Sequence, residues 1–322
     1  RRRHTRLHEK SRGLGDVYKR QGLATGGNKT RKLEFLVAQA IAEGADTLVT
    51  QGATQSNHVR QTAAAARRVG MKCHALLERR VTNMGDTYAQ AGNVLLDDML
   101  KCEYDFRDEG LDMNAEAVTL GEHLRERGAT PYVIPGGGSN AIGALGYANA
   151  AEELVYQADT MNLKIDKIVH ATGSAGTQAG LVAGLHAMSA PIDVIGVSVR
   201  AKRDAQIANV HRLAQETADL IGVKHELGIN LVEAYDDYVG PGYGQPTDDM
   251  IDAISLLAAE EGIFLDPVYS GKGMAGMIGL IRNGTLKKGE TVVFIHTGGS
   301  AALFAYQHLF SRQAAEAETL MH

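Results

Sequence analysis

The chain has 322 residues, of which 44% are hydrophobic and 22% charged, with 37 Gly, 6 Pro, no Trp and a net charge of −5. That is an ordinary globular composition, long enough for one large domain or two ordinary ones, and many glycines beside few prolines point to an α/β protein with ligand loops. The charge is uneven: residues 1–21 hold eight Lys/Arg against two Asp/Glu, so that stretch carries +6 and the remainder −11. No basic face is visible beyond it, which argues against nucleic-acid binding, and no apolar run reaches the ~18 residues of a membrane span. Cys73 and Cys102 form neither a CxxC pair nor a ligand spacing; they read as core residues of a cytoplasmic protein.

Residues 1–21 read RRRHTRLHEKSRGLGDVYKRQ, with no initiating Met and no apolar h-region. An Arg-rich, acid-poor text suits a transit peptide or a nucleic-acid arm, but the preferred reading is a non-native or disordered leader joined to a truncated gene. No function is drawn from it.

From Gly22 onward, strand and helix signals alternate. Thr30 to Ala42 carries apolar residues at helical spacing, ended by Gly44. Ala45 to Thr50 is a short β-rich run, followed by a turn at Gly52 and a helix from about Ser56 to Val69. Cys73 to Leu77 reads as a strand, Tyr88 to Leu100 and Asn114 to Arg127 as helices, and Pro131 to Ile134 as a strand. PGGGSN (135–140) opens a helix to about Gln157. Lys167 to Ala171 is a strand, then TGSAGTQAG and a helix to Met188. Val194 to Val199 is a strand, Asp248 to Glu261 a helix, and Thr291 to Ile295 a strand followed by HTGGS and a last helix. Such alternation implies right-handed βαβ crossovers and mostly parallel sheets. The site then falls at the carboxyl ends of strands, where four Gly loops lie, at Gly52, Gly136–Gly138, Gly173–Gly176 and Gly298–Gly299.

Two stretches carry the strongest chemistry. In HATGSAGTQAG a strand runs into glycines and hydroxyls at a helix start, a cradle for one phosphate; it is neither GxGxxG nor a P-loop. In GGNKTRK, Lys29, Arg31 and Lys32 crowd the first turn of a helix against its dipole; taken alone this reads first as an ordinary charged helix start, and otherwise as a conflict that a bound phosphate relieves, with Lys32 reaching it and Lys29 serving as a Schiff-base lysine. QSNH (55–58) places Ser56 as N-cap beside an amide and an imidazole, a setting for a carboxylate. DPVYSGK (266–272), HTGG (296–299) and PGYG (241–244) are weaker and read equally as turns. Neither HExxH, a Cys/His cluster nor GxSxG occurs, so no metal and no serine hydrolase is expected.

Together, GGNKTRKLEFL, QGATQSNHVRQTAAAA, PYVIPGGGSNAIGALGY, ATGSAGTQAGL, DPVYSGKGMAG and FIHTGGSAALF resemble the pyridoxal-phosphate-dependent family of 1-aminocyclopropane-1-carboxylate (ACC) deaminase and D-cysteine desulfhydrase, and within it the L-cysteate sulfo-lyase branch, over nearly all of residues 22–310. The resemblance implies a tryptophan-synthase-β-like (fold type II) α/β enzyme with two open parallel-sheet domains: a large one from 22–34 and 144–322, and a small mobile one from 35–143. It implies that Lys29 carries pyridoxal 5'-phosphate and moves the α-proton, that Lys32 and the loop Gly173, Ser174, Ala175, Gly176 and Thr177 hold the phosphate, and that Asn57 and Thr297 face the ring hydroxyl and ring nitrogen. Ser56, Asn57 and His58 grip the substrate carboxylate, Tyr269 lies against the ring, and Tyr243 joins the substrate side. Where ACC deaminase has Glu after the DPVY tyrosine and Leu at the other position, this chain has Ser270 and Thr297. The expected reaction is therefore β-elimination from L-cysteate, with D-cysteine desulfhydration as the alternative and ACC deamination or a non-catalytic binding protein behind it. His170, Gln178 and Thr25 are candidate sulfonate donors. A homodimer is expected, with a small amino acid as substrate and neither nucleic acid nor membrane as partner.

Overall fold

Among the described residues, 22–81 and 84–310 of a computed structural model, eight short strands form two four-stranded sheets in which every pairing is parallel. The first sheet comprises β1 (Thr47–Ala53), β2 (Lys72–Glu78), β3 (Glu103–Arg107) and β4 (Pro131–Val133), in the order β3-β2-β1-β4. The second comprises β5 (Lys167–Thr172), β6 (Asp193–Ser198), β7 (Glu233–Tyr235) and β8 (Val292–Ile295), in the order β7-β6-β5-β8. Val49 sits opposite His74 and Val133, and Val169 opposite Ile195 and Phe294. The central strands β1, β2, β5 and β6 are buried almost throughout, as a parallel sheet covered on both faces requires. The parallel α/β pairing is what the alternation predicts, and the two sheets are what the family resemblance implies.

The strand orders fix where a ligand can sit. β1 lies between β2 and β4, and β5 between β6 and β8, so each sheet reverses its winding there. Crevices form at such reversals, outside the carboxyl ends of the strands. The glycine loops at 136–138, 173–176 and 298–299 follow β4, β5 and β8, whereas Gly52, expected in a turn, lies inside β1, and the turn comes after it at Thr54 and Gln55; these four strands border the two reversals.

Ten α-helices fill in the layers: α1 (Lys29–Ala42), α2 (Asn57–Arg68), α3 (Gly85–Gln90), α4 (Asn93–Met99), α5 (Met113–Glu126), α6 (Ala141–Thr160), α7 (Gly176–Ala187), α8 (Arg203–Leu220), α9 (Asp248–Glu261) and α10 (Ser270–Arg282). α6 and α7 pack through small residues. A Cβ added at Gly180 would lie 2.2 Å from the Ala144 carbonyl oxygen, and one at Gly146 would lie 2.1 Å from that of Arg31. Backbone cannot yield as a flexible side chain does, so Gly180→Ala is expected to destabilise the protein by about 1–3 kcal/mol. Urea denaturation should show the loss, and an unchanged midpoint would mean that the helices separate freely.

Several elements differ from expectation. The helix over Tyr88 to Leu100 is broken into α3 and α4, because Gly92 turns to φ +60° and the Gln55 side chain captures the Tyr88 and Ala91 carbonyls at 2.6 and 2.9 Å. The last helix is a 3₁₀ run over Ser300–Leu309. Unexpected elements are β3, a charged edge strand; β7, only three residues; α8; and α10. α10 forms despite glycines at 271, 273, 276 and 279, because they let it lie on the second sheet. A Cβ at Gly276 would meet Val197 at 2.5 Å, and one at Gly273 would meet Ala171 at 3.2 Å. Cys73 and Cys102 are buried and free. The leader reading of residues 1–21 lies outside the described residues. No helix among those described is long and apolar enough to cross a membrane.

Candidate active site

The start of α1 is pinned from several sides. Asn28 donates its backbone N–H to the Thr297 carbonyl (2.9 Å) and its side-chain amide to Thr177 Oγ1 (2.9 Å). Thr30 donates to Gln61 Oε1, and the Gly26 carbonyl accepts from Arg60 Nη2 at 2.6 Å. Lys29 is therefore fixed where the loops after β5 and β8 meet α2. Its ammonium lies 4.7 Å from the Tyr269 ring centroid and is only 6% exposed. Burial lowers its pKa to about 8, against an opposing pull from Asp266 and with a further push from Arg60.

Lys32, one turn on, is 1% exposed and donates to the Gly137 carbonyl (3.0 Å) and Ser139 Oγ (3.1 Å). Burial, then Lys29, pushes its pKa well below the usual lysine range. Ser139 Oγ in turn donates to Ser174 Oγ (2.8 Å) and accepts from the Gly176 amide (3.2 Å). Thus the loop after β4, the loop after β5 and Lys32 form one polar cradle at the amino end of α7. A Cβ at Gly176 would lie 2.7 Å from Ser139 Oγ and 2.9 Å from Lys32 Nζ, so this position needs glycine. Ala175 takes φ +72°, a strained conformation for an L-residue that costs of order 1–3 kcal/mol.

At α2, Ser56 Oγ caps the Val59 amide (3.2 Å), and the first helical amides, Asn57 and His58, have no carbonyl behind them. Asn57 Oδ1 accepts from Asn93 Nδ2 (3.0 Å) and Arg60 Nη1 (3.4 Å), which leaves its own amide N–H groups to donate. His58 differs from expectation. The single hydroxyl proton of Thr50 goes to the Ile134 carbonyl (2.9 Å), so His58 Nε2–H must donate to Thr50 Oγ1 (2.8 Å). Its Nδ1 is then bare, buried and without a partner. Burial, then Lys29 and Lys32, pushes its pKa well below the usual range, so the ring stays neutral. The imidazole has no N–H to offer a carboxylate; only the backbone amide of His58 does.

Tyr269 and Tyr243 share a hydrogen bond between hydroxyls of 2.7 Å, with the rings edge-on at 5.8 Å. Burial raises both pKa values, so both phenols keep their protons. Lys272, buried in α10, donates to the Val239 and Gly242 carbonyls at 2.6 and 2.9 Å and so holds the Tyr243 loop. Ser270 Oγ is consumed by Asp266 Oδ1 (2.7 Å), whereas Thr297 Oγ1 is buried without a partner.

Two expected sulfonate donors are excluded. His170 donates Nδ1–H to the Ala171 carbonyl (2.8 Å), with Nε2 bare, and Gln178 spends its amide on the Val194 and Glu233 carbonyls. Both are fully buried. Thr25 lies exposed in the 3₁₀ turn Leu23–Thr25. Sequence reasoning missed Arg60 and Asp266, both fully buried, and Asn93, which ties Gln55, Asn57 and Arg60 together. No cluster of His, Cys, Asp or Glu among the described residues could hold a metal.

One pocket is lined by Asn28, Lys29, Thr172 to Ala175, Thr177, Tyr269 and Thr297, among others. It joins Lys29 to the polar loop after β5, beside the Lys32 cradle, with an aromatic face and two orphaned polar atoms, Thr297 Oγ1 and Asn28 Oδ1. A ring bearing a phosphate, an aldehyde and a ring nitrogen fits that donor set. The chain belongs to the pyridoxal-phosphate dependent enzyme family, which matches residues 5–298. Pyridoxal phosphate is its cofactor, and the two-sheet architecture is fold type II. The chain is 38% identical to an ACC deaminase homologue of solved structure, covering 89% of this chain and 84% of that one with a TM-score of 0.79. A threonine deaminase from T.th. (16% identity, 85% and 83% covered, TM-score 0.56) and a hydrogen sulfide-producing enzyme from Fusobacterium nucleatum (16%, 88% and 89%, TM-score 0.58) share the fold.

Proposed function

We propose that the protein is a carbon–sulfur lyase that eliminates the β-substituent of L-cysteate, giving sulfite, pyruvate and ammonia. The observation that carries the reading is the pair Ser270 and Thr297. At the positions that hold Glu and Leu in ACC deaminase, one hydroxyl is consumed by Asp266 and the other stands buried and unpaired in the cofactor pocket. Bound there, pyridoxal phosphate supplies an electron sink for the charge left at the α-carbon, a modest one with a hydroxyl rather than a carboxylate at the ring nitrogen. A modest sink suits loss of a good leaving group better than opening of a cyclopropane.

The chain's own residues supply the rest. The Asn57 and His58 amides at the start of α2 hold the substrate carboxylate. Lys29, with a pKa of about 8, takes the α-proton at Nζ. The electron pair left on Cα forms the Cα–Cβ double bond as the C–S bond breaks, and sulfur departs with its electrons as sulfite. The released 2-aminoacrylate reacts with water to give pyruvate and ammonia. Lys32, Ser139 and the loop from Gly173 to Thr177 hold the cofactor phosphate, Asn57 donates to the ring hydroxyl, and Tyr269 covers the lysine.

The test offers L-cysteate, D-cysteine and ACC separately to the purified holoenzyme. Equal amounts of sulfite and pyruvate from L-cysteate are expected. Sulfide from D-cysteine, with L-cysteate inert, would move the protein to the desulfhydrase branch.

A further inference from the structure

A cleft of about 610 Å³ opens outside the tyrosine pair, with Tyr243 on its wall. Two arginines reach it from different sheets. Arg80 follows β2, and its guanidinium carbon lies 5.4 Å from the Tyr243 ring centroid. Arg200 follows β6 and is exposed. Both cations are near enough to the Tyr243 phenol to favour its ionised form, against the larger effect of burial and the charge of Asp266.

Three carboxylates, Glu78, Glu109 and Asp112, share the cleft with them. Glu78 pairs with Arg80 Nε and also accepts the Gly110 amide. Asp112 is occupied as the cap of α5, accepting from the Asn114 and Ala115 amides. Glu109 lines the cleft and is exposed. Arg200 has no carboxylate within ion-pair distance among the described residues, so its guanidinium is left to meet an anion that enters the cleft. The tyrosines add a donor: their mutual hydrogen bond uses one of two hydroxyl protons and leaves the other free.

We propose that Arg80 and Arg200, converging on Tyr243 from the two sheets, form with the tyrosine pair the subsite that receives an anionic tail of the amino-acid substrate. A tail carried on the β-carbon of a substrate whose α-carbon lies beside Lys29 meets the Tyr269–Tyr243 hydroxyls, with the guanidinium charges behind them. Arginine forks match planar or tetrahedral oxyanions better than an ammonium does. The same groups stabilise the charge that gathers on sulfur as the C–S bond breaks. Naming the tail a sulfonate rests on the lyase reading above; the subsite itself requires only an oxyanion.

The experiment compares L-cysteate with 3-chloroalanine, whose tail is neutral but leaves readily, in the holoenzyme and its Arg200→Gln variant. The ratio of kcat/KM for L-cysteate over 3-chloroalanine should fall at least tenfold in the variant, mostly through KM. If L-cysteate is turned over and the ratio is unchanged, the subsite is wrong and the lyase reading stands. If L-cysteate is not turned over, the lyase reading fails, and its binding, followed by the change in cofactor absorbance, decides the subsite. At least tenfold weaker binding in the variant upholds it, whereas equal binding, or none in either protein, overturns it. Arg80→Gln should shift the same ratio in the same direction.

Discussion

Lys29→Met is expected to lose turnover by ~10³-fold or more, since a positioned base alone contributes about 10²–10⁴-fold, and to fold at least as stably as the parent. The second half follows from burial. The Lys29 ammonium has an aromatic face at 4.7 Å and a pKa lowered to about 8. An unfolded lysine titrates near 10.4, so between about pH 8 and 10 the unfolded chain binds more protons at this residue, and stability rises with pH. Below about pH 8 the charged group is carried at a cost of about 3 kcal/mol, taking ~1.4 kcal/mol per pKa unit. Methionine keeps most of the apolar stem and removes that cost. Urea midpoints of the cofactor-free proteins at pH 7 and pH 9.5 check this. The parent should gain stability with pH, and the variant should gain less. Lys272, whose pKa burial also lowers to about 8, contributes alike to both proteins, so the difference reports Lys29 together with its coupling to Lys32 and His58. Equal gains would mean that Lys29 is solvated and charged, and sulfite release above a few per cent of the parent would remove it from the chemistry.

What the sequence made legible was local. The loops after β1, β4, β5 and β8 announce themselves through runs of glycine and hydroxyl residues, because close backbone approach needs Gly and capping needs Ser or Asn. Lys29 and Lys32 stood out because two cations in the first turn of a helix are unfavourable without an anion. The hidden parts depend on what distant elements bring. Arg60 sits in an Ala-rich helix where an exposed arginine would look the same; its burial follows from Asn93 on α4 and Gly26 before α1. The His58 tautomer is set by Thr50, whose proton is claimed by Ile134, just past the neighbouring strand β4 and 84 residues on in the chain. The amide of Gln178 is taken by carbonyls on β6 and β7, which the local text does not show, and His170 is turned onto the carbonyl of the next residue, Ala171. α10 went unread because its glycines count against a helix by propensity yet are what lets it touch the second sheet.

Asp266→Ala is expected to cost about 3–5 kcal/mol, the range for removing one partner of a buried charge cluster. The carboxylate is fully buried, and four bonds converge on it: from the Val268 amide (3.1 Å), the Tyr269 amide (3.0 Å), the Ser270 amide (2.7 Å) and the Ser270 hydroxyl (2.7 Å). These bonds start α10 and set the Tyr269 ring under Lys29. Asp266 is also the anion that opposes the charge of Lys29, and after Asp97 it is the second that opposes Arg60. Alanine would leave three amides without an acceptor and Lys29 without its opposing charge, with Asp97 still facing Arg60, whereas asparagine would keep an acceptor oxygen and the volume. Asp266→Asn should therefore lose less stability, about 1–3 kcal/mol for the unsatisfied groups that remain. The two roles separate in the titration of Lys29. Because Asp266 raises that pKa, either variant should move it below about 8, read in the cofactor-free protein as the pH dependence of acylation at Lys29. A role confined to capping α10 would lower stability and leave that titration in place. A shift in Asp266→Asn, where the cap is largely kept, would instead assign Asp266 the tuning of Lys29 by charge.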